Sequence, residues 1–173
     1  DLGYALLYED IADAIENPEE FNNYVSLFQR ATEEAPSAKT YHQLGMVLSL
    51  SEPDWGPSVA AFEQAQELDP EYGPASVGLA NLYLEMDQTE PGLNLLREAT
   101  YKVFPVIPPD DWHKTNTIYR REDAFVALAL ACAADFQYEN SAIAANFALN
   151  TNPAALEEHA EDLLSAYVNA AQG

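Results

Sequence analysis

An alanine recurs at a fixed step of 34 residues in this chain, at Ala31, Ala65 and Ala99. A large apolar residue lies three positions before each of these alanines and therefore keeps the same step. The next alanine of the series, Ala148, follows after 49 residues, which is one step of 34 with 15 additional residues. A repeat of this length cannot bury its apolar side alone, so neighbouring repeats must stack. The period therefore predicts a solenoid with an insertion between its third and fourth repeats.

Each repeat contains two runs of apolar residues at helical spacing. In the second repeat the runs are separated by a break between Glu52 and Pro57, which favours a turn. A small residue, Gly45, lies in the first run, and Ala80 and Ala129 hold the same place in the next two repeats. Small side chains at this place allow the second helix to approach the first closely. We therefore predict two helices and a turn in each repeat, with a proline after the second helix to open the next repeat.

The order of residue types in the second repeat resembles the tetratricopeptide repeat. It reads Tyr41-x-x-Leu44-Gly45-x-x-Leu48, then Phe62-x-x-Ala65-x-x-Leu68-Asp69-Pro70. The other repeats are similar with departures, among them Ser76 for the large residue that opens the third repeat and Ala145 for a ring in the fourth. The resemblance implies one all-α domain, a right-handed superhelical solenoid of helix-turn-helix repeats. Its repeats span about 5–36, 38–70, 73–104 and 122–153, with an insert at about 105–121 and a capping helix at about 154–171.

The chain is strongly acidic. It has 29 acidic and 7 basic residues, and its formal net charge is −22. This charge repels nucleic acid and anionic lipid, so we expect no nucleic-acid partner. No apolar run approaches the ~20 residues that span a bilayer, so we expect no direct membrane insertion. Two interpretations of the acidic residues stay open: a solvated surface, or a face that recruits a basic partner.

The residue types that carry catalysis are scattered along the chain. The three histidines, His42, His113 and His159, fall in different predicted elements, with no carboxylate or cysteine at metal-ligand spacing. Neither a Gly-rich phosphate loop nor an HExxH helix is found in the sequence. The single cysteine, Cys132, takes a core position in its helix, where we expect inert packing. We therefore expect a non-enzymatic protein without a metal site or a cofactor.

The resemblance also implies a concave groove, lined by the first helix of each repeat, that holds a peptide segment or a helix of another protein. Positions counted from the residue that opens each repeat predict the lining. The predicted groove residues are Glu9, Asp13 and Glu16 in the first repeat, His42 and Met46 in the second, Val77 and Asn81 in the third, and Val126 and Leu130 in the fourth. The groove is thus acidic at one end and apolar at the other.

This gradient differs from the basic clamp with which some members of the family hold the terminal carboxylate of a chaperone tail. Asn81 is the one residue of matching type in the groove, and Lys39 lies at its rim. We predict instead a partner with a basic end and an apolar stretch. In the alternative interpretation, the chain's own insert covers the apolar end.

The insert carries residue types that are enriched at binding hot spots, and it opens with three prolines. An insertion of this length in a compact solenoid is often functional. The predicted contact residues are Trp112, Tyr119, Arg120 and Arg121. Contacts with a partner and packing within this acidic chain are both compatible with them.

Three functional hypotheses follow from these features. The first is a scaffold or adaptor that binds a partner segment in the groove. The second is a permanent structural subunit of a larger extracytoplasmic or membrane-associated complex, and the third is a regulatory module of a larger protein. The sequence begins at Asp1 rather than at methionine, so a signal peptide, a lipid-attachment segment or part of a larger protein could have been removed. Of the compartments, we favour the periplasm or another extracytoplasmic one for a soluble, processed chain.

Overall fold

A computed structural model describes residues 17–50, 54–104 and 121–151, together with Leu164 and Val168. Apart from one isolated parallel bridge between Tyr72 and Val103, the regular structure in these ranges is helical. The helices are α1 (Pro18–Glu34), α2 (Ala38–Leu48), α3 (Gly56–Leu68), α4 (Gly73–Glu85), α5 (Thr89–Ala99), α6 (Arg121–Ala134) and α7 (Tyr138–Thr151). The predicted all-α fold is confirmed.

The helices stack in a regular order. Three hairpins are formed by α2 with α3, α4 with α5, and α6 with α7. The first helices of these hairpins also contact one another, α2 with α4 and α4 with α6, and so form one continuous layer. Each second helix packs on the first helix of the next hairpin, α3 on α4 and α5 on α6. The result is a solenoid in which each hairpin contacts its neighbours.

Local sequence signals set the helix starts. The side chain of Asn17 accepts hydrogen bonds from the backbone N–H groups of Glu19 and Glu20, and Pro18 occupies the first position of α1. At α2, the Ser37 hydroxyl accepts from the Thr40 N–H, and the Thr40 hydroxyl accepts from the Ser37 N–H. This reciprocal pair satisfies backbone donors that have no partner within the helix.

The turns inside the second and third hairpins have the same form. Asp87 and Phe136, which are 49 residues apart, both have a positive φ, at 58° and 60°. In each turn the following residue donates to a carbonyl five positions back, Gln88 to Tyr83 at 2.7 Å and Gln137 to Cys132 at 2.8 Å. This is the Schellman ending of a helix. It recurs at the same step that separates Ala99 from Ala148.

Small residues lie where the two helices of a hairpin cross, as the sequence predicts. The Ser58 hydroxyl donates to the Gly45 carbonyl at 2.7 Å, and the Ser141 hydroxyl donates to the Ala129 carbonyl at 2.7 Å. Both serines are buried. These hydrogen bonds across the hairpin require the close approach of backbones that Gly45 and Ala129 permit.

Phe62 joins two hairpins. Its ring is 1% exposed and lies against both Gly45 on α2 and Gly78 on α4. A Cβ added at Gly45 would lie 2.8 Å from the ring, and one added at Gly78 would lie closer still. Trp55 packs against the same cluster, as expected for a residue that wedges adjacent helices. The two glycines therefore make the space that the Phe62 ring fills.

Several predicted segments lie outside the described residues. They are the first helix of the first repeat, the insert, and the capping helix apart from Leu164 and Val168, which are both helical. The predicted repeat and domain boundaries therefore remain predictions.

Candidate protein-interaction site

Three predicted groove residues recur at one register of the layer formed by α2, α4 and α6. Met46 and Asn81 are half-buried, and Leu130 is 38% exposed. Each lies five residues beyond the position that opens its repeat. Because the three helices are neighbours, the equivalent positions form a strip across the layer. We call Met46, Asn81 and Leu130 the groove strip.

The other three predicted groove residues of these helices are buried and do not line a surface. His42 and Val77 have no exposed area, and Val126 is almost as deeply buried. Val77 shares a core cluster with Ala124 of the next hairpin, so its register faces the neighbouring helix. The prediction that these residues contact a partner was wrong, because the packing of neighbouring helices covers their side chains and removes them from the groove surface.

His42 is enclosed by aromatic rings. Its ring centroid lies 5.7 Å from that of Phe62 and 5.8 Å from that of Tyr72. Burial lowers the pKa of His42 from 6.5 to about 3. The side chain is therefore neutral at physiological pH and supplies no charge to a groove.

The acidic end of the predicted groove and most of the predicted insert contacts lie outside the described residues. These are Glu9, Asp13 and Glu16 at the first repeat, and Trp112, Tyr119 and Arg120 in the insert. Arg121 is described as the first residue of α6, and it is exposed. Its guanidinium donates to the Lys102 carbonyl at 2.8 Å, so here Arg121 makes a contact within the chain.

The segment that follows α5 is anchored at the start of α4. Val103 forms the parallel bridge with Tyr72, and the Gly73 N–H donates to the Val103 carbonyl at 2.8 Å. The ring of Phe104 lies where a side chain at position 73 would be, which requires the glycine. Sequence reasoning did not foresee this contact.

Ser76 explains one departure from the family pattern. It takes the place of a large opening residue and is buried. Its hydroxyl accepts hydrogen bonds from the Lys102 ammonium at 2.8 Å and from the Gln66 amide at 2.9 Å. A large ring would remove this acceptor, so serine allows Lys102 to be held at the layer.

A pocket of about 520 Å³ opens between α5, α6 and α7. Its apolar lining comes from α6 and α7: Phe125, Leu128, Ile143, Ala144 and Phe147. Its polar lining is Arg97, Thr100, Tyr101 and Asn140. The rings of Phe125 and Phe147 stack with centroids 5.5 Å apart. The pocket has the size and mainly apolar character of ligand and peptide sites.

Sequence reasoning missed this pocket, although a signal was available. Most basic residues of the chain lie between Arg97 and Arg121. This segment is net positive, whereas the rest of the chain is net negative. The pocket is lined at one side by the start of that segment. A search for local charge reversal would have pointed to it.

The described residues offer little to a catalytic mechanism. Cys132 is buried, and burial raises the pKa of its thiol, although Arg97 opposes the shift. In residues 17–50, 54–104 and 121–151, no three His, Cys, Asp or Glu side chains converge on a metal-sized site. Within the same ranges, none of the helices combines the length and the apolar composition that crossing a bilayer requires.

Comparison with known proteins identifies the type of fold. No protein-family model and no curated protein matches the sequence. Among solved structures, "Crystal structure of MamA protein" matches with a TM-score of 0.60 and 17% identity, over 95% of this chain and 81% of that one. "Crystal structure of MamA" gives 0.57 and 15%, over 93% and 92%, and "MamA RS-1 ArsTM double mutant" gives 0.56 and 19%, over 95% and 89%. The chain is thus similar in fold to MamA, a tetratricopeptide-like all-α solenoid.

Proposed function

We propose that this protein is a non-enzymatic interaction scaffold that holds a segment of a partner protein along the groove strip. The observation that carries the proposal is the recurrence of Met46, Asn81 and Leu130 at one register of three neighbouring helices. A surface built from equivalent positions suits an extended segment, which meets the same geometry at each repeat. The similarity in fold to tetratricopeptide-like solenoids supports a role in binding proteins.

The chemistry of the strip specifies its partner. Met46 and Leu130 offer apolar contact, and the flexible thioether of Met46 adapts to different shapes. Asn81 lies between them in the stack and contributes a polar amide to the strip. The basic end that we predict for the partner depends on Glu9, Asp13 and Glu16. The extracytoplasmic location likewise remains a prediction.

Replacing Leu130 by glutamine is expected to weaken partner binding by about tenfold, because an apolar contact at an interface contributes about 1–2 kcal/mol. Leu130 is 38% exposed, so the substitution is not expected to unfold the chain. The tagged full-length protein would first be used to purify partners from its source organism. The affinity of each purified partner for wild-type and variant protein would then be measured by titration calorimetry.

The matched control is Leu27→Gln on α1, where the leucine is 48% exposed and lies outside the groove strip. Binding that is lost in both variants, or in neither, would contradict the proposal. The charge of the partner is tested separately by reversing Glu9, Asp13 and Glu16 to lysine. A partner with a basic end should then bind more weakly, with the difference greatest at low salt.

A further inference from the structure

The charge of this chain is divided very unevenly. Between positions 97 and 121 there are five of the seven basic residues and three acidic residues, whereas the rest of the chain carries two basic and 26 acidic residues. The basic residues of this segment are Arg97, Lys102, Lys114, Arg120 and Arg121. One short segment is therefore net positive in a chain whose net charge is −22. A segment with net positive charge repels an acidic partner less than the rest of the chain does.

The pocket between α5, α6 and α7 lies at the start of this segment, and no carboxylate is found among its described lining residues. Its cation, Arg97, is half-buried. The guanidinium donates to two neutral amides, the side chains of Asn94 at 3.0 Å and Gln137 at 3.1 Å. Gln137 in turn donates to the Asp135 carboxylate at 2.7 Å, so Arg97 is held in one orientation by a short chain of hydrogen bonds.

The apolar part of the pocket is accessible. Ile143 and Phe147 lie one helical turn apart on α7 and are 49% and 51% exposed. Phe147 is kept in position by its stacking on Phe125. A rigid, exposed aromatic ring beside an oriented guanidinium combines two residue types that dominate binding energy at protein interfaces.

We infer that this pocket docks an acidic, apolar segment of a partner protein. A carboxylate of the segment pairs with Arg97, and an adjacent aromatic or branched side chain packs on Ile143 and Phe147. Arginine suits this role because its planar group binds a carboxylate through two parallel hydrogen bonds. The three residues assigned to the segment, Arg97, Ile143 and Phe147, lie on α5 and α7, the second helices of their hairpins, whereas the groove strip lies on the first helices. The two sites can therefore be tested independently.

The probe is a synthetic peptide of sequence GSDFDLGS, blocked at both ends, and the matched control peptide carries lysine in place of both aspartates. Binding is followed by the amide chemical shifts of the ¹⁵N-labelled full chain. We expect the acidic peptide to shift the amides of Ile143 and Phe147 in a saturable manner. We expect Arg97→Gln to weaken its binding by about fivefold or more, because a charge-assisted hydrogen bond is lost.

The control variant is Arg30→Gln. Arg30 is an exposed arginine that already pairs with Glu34 on α1, and its removal should leave the affinity unchanged. Phe147→Ala should weaken binding while keeping the charge, and thermal unfolding of each variant checks that the chain still folds. Equal binding of the lysine peptide, or equal affinity in Arg97→Gln, would overturn the proposal. So would shifts confined to Met46, Asn81 and Leu130.

Two other occupants would also overturn it. Self-association in sedimentation experiments that Arg97→Gln abolishes would assign the pocket to a second copy of the chain. A more than tenfold gain in peptide affinity when residues 105–120 are replaced by a Gly-Ser linker would assign it to the chain's own insert. The docking of a separate partner is supported if the chain does not self-associate through Arg97 and if replacing residues 105–120 leaves the peptide affinity unchanged.

Discussion

Replacing Phe62 by alanine is expected to lower the free energy of unfolding by about 3–5 kcal/mol, the range for removing a large buried aromatic side chain. Phe62 is almost fully buried, and its ring contacts α2 of its own hairpin and α4 of the next. The substitution therefore opens a cavity where two hairpins meet. Urea denaturation followed by far-UV circular dichroism measures the loss. Phe147→Ala, at a half-exposed phenylalanine, should cost much less.

The opposite change at the same contact tests whether the glycine and the ring are matched in shape. Gly78→Ala should destabilise the wild type by about 1–3 kcal/mol, because its Cβ would overlap the Phe62 ring. Helix propensity alone predicts the reverse, a gain of about 1 kcal/mol. In a Phe62→Leu background the cost should shrink, since leucine can move aside. Additive effects of the two substitutions would show that the ring and Gly78 do not constrain each other.

Acid is expected to destabilise the protein through His42. Its folded-state pKa is about 3 while that of an unfolded histidine is about 6.5, so below pH 6.5 only the unfolded state takes up the proton. The contribution of neutral, buried His42 to stability is complete above pH 6.5. It is lost at about 1.4 kcal/mol per pH unit as the pH falls from there towards 3.

The comparison that isolates this effect uses His42→Phe, which keeps an aromatic ring between Phe62 and Tyr72 but cannot take up a proton. Stability is measured by urea denaturation between pH 4 and 8 for both proteins, because the many carboxylates contribute a pH dependence of their own. The difference between wild type and variant should change with pH only below about 6.5, against the wild type. A constant difference would show that His42 can be protonated in the folded protein.

The fold could be predicted because its determinants are local or periodic. The crossing of α2 with α3 needs a small residue at Gly45, and the residue pattern of the first helix placed Ala129 in the same role. Turn residues, prolines and caps act over a few positions, so they can be recognised in the sequence. The Schellman turns at Asp87 and Phe136 follow the same 49-residue step, even though neither residue is a glycine.

The site was less predictable because it depends on contacts between helices. A first helix in this stack packs against its own partner, the previous hairpin and the next. Val77 is therefore buried, whereas Asn81, about one helical turn further along α4, is half-buried. A two-sided view of an amphipathic helix does not resolve that difference. The hydrogen bonds of Lys102 to Ser76 and of Arg97 to Gln137 join residues far apart in the sequence. No local pattern predicts such pairs.

The anchoring of the chain before and after the insert has a consequence for how this solenoid can change. Val103 pairs with Tyr72 on one side, and Arg121 binds the carbonyl of Lys102 on the other, so the described residues that flank the insert are tied to each other. Doubling the length of a flexible loop between fixed ends costs only about 0.6 kcal/mol. We therefore expect variants with more or fewer residues between Phe104 and Arg121 to keep the contacts that tie the two flanks together.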